Sequence, residues 1–396
     1  MLKHMGRVKT SLGILGFAGG ALVSSTVGAG TVIYEEGETA VEIGGRIQVQ
    51  YLRVDPDTLG ADSTDDLFLR RVRPEIEATL TEEFLGVLAI DFADDEVDIK
   101  DAYIEYSGLP FGDILVGNHY APFARENLTS SKRQQFVERT FIGDHDYGVP
   151  DRQMGISLQG GEMLQYAVGY YKAGIDAGTD TLDFDTRLTG DTDYFGDMFA
   201  GRIDFYPLGE FDLEQGDFER SPSPKVGVAI NGFTWDNDDD NQSEDEDLGP
   251  GSDYDEVQGY GADAALRWAG VSVDIGYNKF TSETVAPGVT DGLIVAGEGD
   301  FDTYAAKGGY MIPVGTDYVE PVVGYQVLDP DAVADKDERY LVGVNYFFNE
   351  YDDKLQFTYE IGKDIFATDN AGNIDANETV AGDDQDRLFL QYQHLF

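Results

Sequence analysis

The sequence predicts an all-β protein: a transmembrane antiparallel β-barrel of about sixteen strands. Three observations predict it. The amino terminus has the layout of an export signal, period-two hydrophobicity recurs up to the last residue, and no later segment holds the run of about 18 apolar residues that a membrane helix needs. A chain that enters a membrane without such a helix must close its strands into a barrel, because hydrocarbon cannot satisfy unpaired backbone N–H and C=O groups.

The export signal comes first. Lys3, Arg7 and Lys9 precede an apolar and small-residue run from Leu12 to Val23, followed by Val27, Gly28 and Ala29. This is a charged head, a short apolar middle and a small-residue cleavage site, so cleavage is expected after Ala29. The expected organisation is a signal peptide over 1–29 and one barrel domain over 30–396. The run is Gly-rich and shorter than the roughly 20 residues a spanning helix requires.

Segments of about ten residues with alternating polarity follow. They predict strands at 40–53, 66–81, 84–95, 97–108, 112–121, 151–160, 162–174, 196–207, 224–236, 257–269, 270–281, 301–312, 317–328, 338–348, 354–364 and 386–396. In one, Tyr340, Val342, Val344 and Tyr346 alternate with Leu341, Gly343, Asn345 and Phe347. In others, Val271, Val273, Ile275 and Tyr277 alternate with Ser272, Asp274, Gly276 and Asn278, and Leu355, Phe357, Tyr359 and Ile361 with Gln356, Thr358, Glu360 and Gly362. Alternate side chains of a strand point to opposite faces, so one set is expected to meet lipid and the other the lumen. The last strand alternates through Leu388, Leu390, Tyr392 and His394 to a terminal Phe396, resembling the recognition strand of outer-membrane proteins. The links alternate between short turns and long loops, with two exceptions: a short link near Asp94, Asp95 and Glu96, and a long one over 208–223. An even strand count puts both termini on the short-turn, periplasmic side.

Charge divides unevenly. The chain has 76 acidic and 27 basic residues, a net charge of −49, and no Cys. Nucleic acid is excluded as a partner, since phosphate binding needs a basic face. Disorder does not fit 23 Tyr and 23 Phe spread along the chain. On the polar phase of the strands lie Arg46, Arg71, Arg73, Asp91 and Asp101, with Arg202, Asp204, Asp263, Arg267, Lys307, Glu320, Glu360 and Arg387 elsewhere. The link over 122–141 holds Arg125, Lys132, Arg133 and Arg139 against Glu126 and Glu138, a basic island in an acidic chain. It is expected to fold into the lumen and form a positive constriction that favours anions. The acids gather in exposed links, above all 236–255. There Asp236, Asp238 and Asp240, with Glu244 and Asp247, approach calcium-loop spacing, but Asn241 replaces the required Gly and Asp247 the bidentate Glu, so a plain charged loop is the expectation.

A family resemblance enters over 69–140. Arg70-Arg71-Val72-Arg73, Ile90-Asp91-Phe92-Ala93-Asp94, Val97-Asp98-Ile99-Lys100-Asp101-Ala102-Tyr103, Val116-Gly117 with Pro122-Phe123, Leu128-Thr129-Ser130-Ser131-Lys132 and Phe136-Val137-Glu138-Arg139 resemble the phosphate-selective porin O/P family. The resemblance implies a sixteen-stranded trimeric porin whose third loop enters each channel. It implies that Arg71 and Arg73 are lumen arginines, Asp91 and Asp101 lumen carboxylates near the narrow zone, and Lys132 and Arg139 residues of the inserted loop. Tyr120 stands where family members commonly carry Lys, and Ala124 where Gly follows the Pro-Phe pair.

The expected function is passive diffusion of small hydrophilic solutes across the outer membrane of a Gram-negative bacterium, with anions such as phosphate or polyphosphate preferred. The expected partners are outer-membrane lipid, lipopolysaccharide and two further copies of the chain, with no cofactor. A general or cation-tolerant porin is the first alternative, and an exported acidic enzyme or cation-binding protein the second. The enzyme reading lacks a Gly-x-Ser-x-Gly elbow, and His119, His145 and His394 are not spaced as a metal pair.

Overall fold

The computed structural model describes residues 30–57, 62–93, 97–175, 182–184, 195–237, 254–284, 299–331, 335–365 and 383–396. Eighteen strands form one antiparallel sheet: β1 Thr31–Glu36, β2 Thr39–Pro56, β3 Thr64–Thr81, β4 Phe84–Asp91, β5 Asp98–Leu109, β6 Gly112–Tyr120, β7 Arg152–Gly161, β8 Leu164–Gly174, β9 Phe195–Phe205, β10 Lys225–Asn237, β11 Tyr254–Trp268, β12 Val271–Thr284, β13 Gly299–Tyr310, β14 Ile312–Val314, β15 Asp317–Pro330, β16 Asp337–Asn349, β17 Asp353–Ile365 and β18 Asp383–Leu395. Sixteen of them make the closed barrel; β1 adds a hairpin arm to β2, and β14 continues β13 along β15.

Each barrel strand pairs with its sequence neighbour, and β18 returns to β2 with Leu395 opposite Arg46. Beyond it, Phe396 and Gly45 exchange two backbone hydrogen bonds of 3.0 Å. A Cβ at Gly45 would come within 2.8 Å of the Phe396 ring and 2.7 Å of the Arg73 carbonyl, so the seam needs glycine there. Closure leaves the barrel strands no free edge in the membrane.

The predicted alternation holds. Ile275, Val342, Val344 and Leu390 are exposed on the outer face, while Ser272, Asp274, Asn278, Asn345, Gln356 and Gln391 are buried inside. Exposed aromatics near the short-turn ends include Phe84, Phe205, Trp268, Tyr310, Phe348 and Tyr392, the girdle expected at a lipid headgroup boundary. No helix among the described residues is long and apolar enough to cross a membrane. Between β11 and β12 the two-residue turn places Ala269 at φ 54° and Gly270 at φ 91°. Positive φ at both positions matches the right-handed twist of the flanking strands.

Three details differ from the sequence reading. The arm β1 was not expected. The first and last barrel strands extend beyond 40–53 and 386–396 toward the long-loop end, to Pro56 and Asp383. A bulge sets Gln48 opposite Arg71 but Val49 opposite Leu69, so Arg70 falls outside the pairing and leaves the simple alternation.

Candidate functional site: a loop across a charged lumen

Residues 121–151 join β6 to β7 and are nearly all buried, with a short helix, α1, at Arg125–Leu128. Apolar anchors drive this insertion. At the near wall Phe123, Phe141, Tyr147 and Val149 pack with Phe184, Phe233, Trp235, Phe280 and Phe301. Phe123 meets Phe233 edge-on at 5.3 Å, and Phe141 meets Tyr147 at 4.6 Å. Further along, Phe136 packs on Val322 and Leu341 of β15 and β16, and Val137 on Leu52, Val54 and Phe389 of β2 and β18. The loop therefore crosses the lumen from the β10–β13 wall to the β18–β2 wall.

The far wall receives it with amides. One rung across β17, β18, β2 and β3 reads Lys354, Gln393, Gln48, Arg71. Arg71 donates to Gln48 Oε1 at 2.9 Å, and Gln48 donates to Gln393 Oε1 at 2.6 Å. Gln393 and Lys354 in turn donate to the loop carbonyls of Lys132 and Gln134 at 3.2 and 3.3 Å. On the next rung Gln356 donates to the carbonyls of Gln134 and Gln135, Asn345 to that of Gln135, and Gln391 to Gln50 Oε1. A carboxamide both donates and accepts, so a belt of them can satisfy loop backbone and neighbouring side chains together without adding charge.

The sequence-predicted site residues come together here in two electrical states. Three are held by carboxylates: Arg73 by Asp91 at 2.6 Å, Lys132 by Glu75 at 3.4 Å and Arg125 by Asp274 at 3.4 Å. Others are held by neutral acceptors. Arg46 donates to Ser130 Oγ at 3.1 Å, Arg71 to Gln48, and Arg139 to the carbonyls of Asn127 and Thr129 at 3.3 and 3.1 Å. Arg133 ends a 3-10 turn, Ser131–Arg133, beside Lys132. Asp91 also accepts from the Val72 amide, and Asp101 accepts from Arg152 Nε at 2.8 Å. Both predicted lumen carboxylates are thus structural partners of arginines.

Several lumen residues escaped the sequence reading. Arg70 turns inward through the bulge and binds Glu138 on the loop at 2.9 Å. Arg152 lies 4.0 Å over the Tyr120 ring, whose hydroxyl also meets Arg139 at 3.5 Å. Two guanidiniums therefore surround the position where the family pattern has a lysine. Lys354 and Gln356 also face the lumen, and their alternation with the exposed Leu355 is the sequence signal for it. Of the weak calcium candidates, Asp236 is exposed on β10, whereas Asp238 and Asp240 lie outside the described residues.

His145 ties the end of the loop to residues 182–184. Its Nδ1 meets Asp183 Oδ1 at 2.7 Å and Asp146 Oδ1 at 3.0 Å. Burial alone would lower its pKa, but the two carboxylates outweigh burial and hold the imidazolium well above the usual histidine range. Because the folded pKa is the higher one, the bond's contribution is complete below about pH 6.5 and declines as pH rises through the folded value. The protection of the amides of residues 143–151, taken relative to the intrinsic exchange rate at each pH, is accordingly expected to be high and constant from mildly acidic to neutral pH and to fall in alkali. His145→Gln should exchange fast throughout; a flat profile in both chains contradicts the tether.

A closed sixteen-stranded barrel with an apolar outer face and an inserted loop defines the class: this is an outer-membrane porin, and its place is the bacterial outer membrane. Within that class, residues 41–207 match the family described as phosphate-selective porin O and P, the family that residues 69–140 resemble. Solved structures share the fold. OmpF of Salmonella typhi in complex with daunomycin aligns with TM-score 0.58 at 15% identity, covering 92% of this chain and 100% of that one. The anion-selective porin of Comamonas acidovorans gives 0.57 at 13%, covering 91% and 100%, and the outer membrane channel DcaP of Acinetobacter baumannii 0.55 at 12%, covering 91% and 99%. No curated protein sequence matches the chain. The family and fold are those of a channel rather than an enzyme.

Proposed function

We propose that this channel passes small hydrophilic solutes with a preference for anions, phosphate among them. The observation that carries the reading is the group of cations held by neutral acceptors at the loop's far wall. Arg46, Arg71 and Lys354 lie within electrostatic reach of one another, with Lys132 and Arg133 adjacent on the loop. Amide and hydroxyl partners orient these groups, and of the carboxylates within the same reach Glu75, Asp91 and Glu138 are paired with Lys132, Arg73 and Arg70, while Glu320 stands near Lys354. The buried Nε of Arg46 has no acceptor among the described residues, which leaves a donor that a solute oxygen could use. The net charge of the chain pulls the other way, but charges on outer loops are screened beyond about 8 Å at physiological salt. The local group then dominates at the constriction.

The test is neutralisation of Lys132, Arg133 and Arg139 together to Gln, with the reversal potential read in a salt gradient. Permeation is expected to move toward cations; unchanged selectivity contradicts the reading. A second reading, a general porin without phosphate selectivity, is favoured by the pairing of Arg73 with Asp91 and Lys132 with Glu75. Phosphate titrated against chloride current separates the two, since a phosphate site blocks current at low phosphate. The reading includes a cleaved signal peptide over 1–29, contact with lipid and lipopolysaccharide, no catalysis, and a homotrimer like the OmpT trimer form of Vibrio cholerae.

A further inference from the structure

At the short-turn end one link departs from the rest. Residues 206–224 join β9 to β10, and part of the link folds up into the barrel, with Leu213, Gln215, Asp217 and Ser221 buried. It is well anchored. Phe211 lies under the guanidiniums of Arg125 and Arg267, 4.8 and 5.4 Å from its ring centre, and meets Tyr206 edge-on. Arg125 donates to the Asp212 carbonyl at 2.8 Å, and Arg267 to that of Glu214. Phe218 packs edge-on against Tyr318, Phe347 and Tyr351. The Gly216 amide donates to the Tyr351 hydroxyl at 2.9 Å, and a Cβ at Gly216 would come within 3.0 Å of that oxygen.

Gln215 is where this segment meets the inserted loop. Its backbone amide donates to the Arg133 carbonyl at 3.3 Å, its side-chain oxygen accepts from the Gln135 amide at 2.7 Å, and its side-chain nitrogen donates to Gln134 Oε1. All three contacts fall on 133–135, the stretch whose carbonyls are held from the opposite side by Lys354, Gln356 and Asn345. The loop tip is thus clamped between the amide belt and a segment entering from the other end of the barrel.

We infer that residues 206–224 form the second half of the constriction, and that Gln215 is a positioning residue that fixes the loop tip and so sets the size of the passage. The inference rests on the channel itself and not on which ion it prefers, so conductance tests it independently of selectivity. The placement of Gln215 has a physical rationale. A loop held on one face only can rotate about that contact, whereas clamping from two faces removes the freedom, and buried hydrogen bonds are costly to leave unmade.

The experiment is single-channel recording of Gln215→Ala and Gln215→Asn in a planar bilayer, with heat-modifiable gel migration confirming the folded barrel. Gln215→Ala is expected to raise mean conductance by about twofold and to add flickering between levels. Gln215→Asn keeps the amide but draws it back by one methylene and should give a smaller change of the same kind. Because the chain has no Cys, Gln134→Cys/Gln215→Cys can be bridged with a short bifunctional thiol reagent. Bridging should restore steady conductance, and reversing the bridge should bring back the flicker. Wild-type conductance in folded Gln215→Ala, or flicker that persists after bridging, overturns the inference.

Discussion

Replacing Arg202 with methionine is expected to lower the stability of the folded barrel by about 3–5 kcal/mol, the cost of leaving buried carboxylates without their cation. Arg202 is fully buried on β9. It donates to Asp204 at 2.7 and 2.8 Å, to Asp263 at 2.6 and 2.8 Å and to the Phe123 carbonyl at 2.6 Å. Asp263 also accepts from the Arg125 amide at 3.2 Å. This one guanidinium therefore bridges two acids and holds the Phe123 carbonyl at the start of the inserted loop. Denaturant unfolding in detergent measures the effect. Adding Asp204→Asn and Asp263→Asn should recover much of the loss, because the residual cost lies in the orphaned charges. A loss that the added substitutions leave unchanged contradicts this assignment.

The second large effect concerns flow. Replacing residues 127–139 with a short Gly-Ser link removes the part of the loop that crosses the lumen but leaves Phe123, Phe141 and Tyr147 to fill the near wall. Conductance is expected to rise severalfold and selectivity to weaken, because the same excision removes Lys132, Arg133 and the clamp to Gln215. The amide belt loses its loop partners but faces water instead, so the barrel itself should persist with heat-modifiable migration. A barrel that folds and conducts at the wild-type level would place the constriction elsewhere.

Much of this architecture was legible because lipid imposes a strict rule. Every strand must show apolar groups outward with period two, and Tyr340, Val342 and Val344 or Leu355, Phe357 and Tyr359 carry that rule without help from the rest of the chain. The inserted loop was legible as a basic island, and its aromatic anchors explain why it turns inward. What the alternation could not give is pairing. Arg73 and Arg46 share a face and a residue type, yet one is bound to Asp91 and the other to Ser130, because the choice depends on which strand or loop lies opposite. Arg70 was hidden for a different reason, since a single bulge reverses the direction that alternation assigns. The 206–224 link was visible only as a break in the alternation of short turns and long loops. Its cause, the docking of Gln215 and Phe211 against residues far away in sequence, is a tertiary contact that no local pattern encodes.

The proposed preference for anions requires that the cations held by neutral acceptors at the constriction outweigh an acidic chain in deciding what passes. The most direct measurement is the reversal potential of the wild-type channel in a planar bilayer under a potassium chloride gradient at physiological ionic strength. A potential of the sign set by chloride is expected, shifting toward zero when Arg46, Arg71 and Lys354 are neutralised. A potential of the sign set by potassium contradicts it.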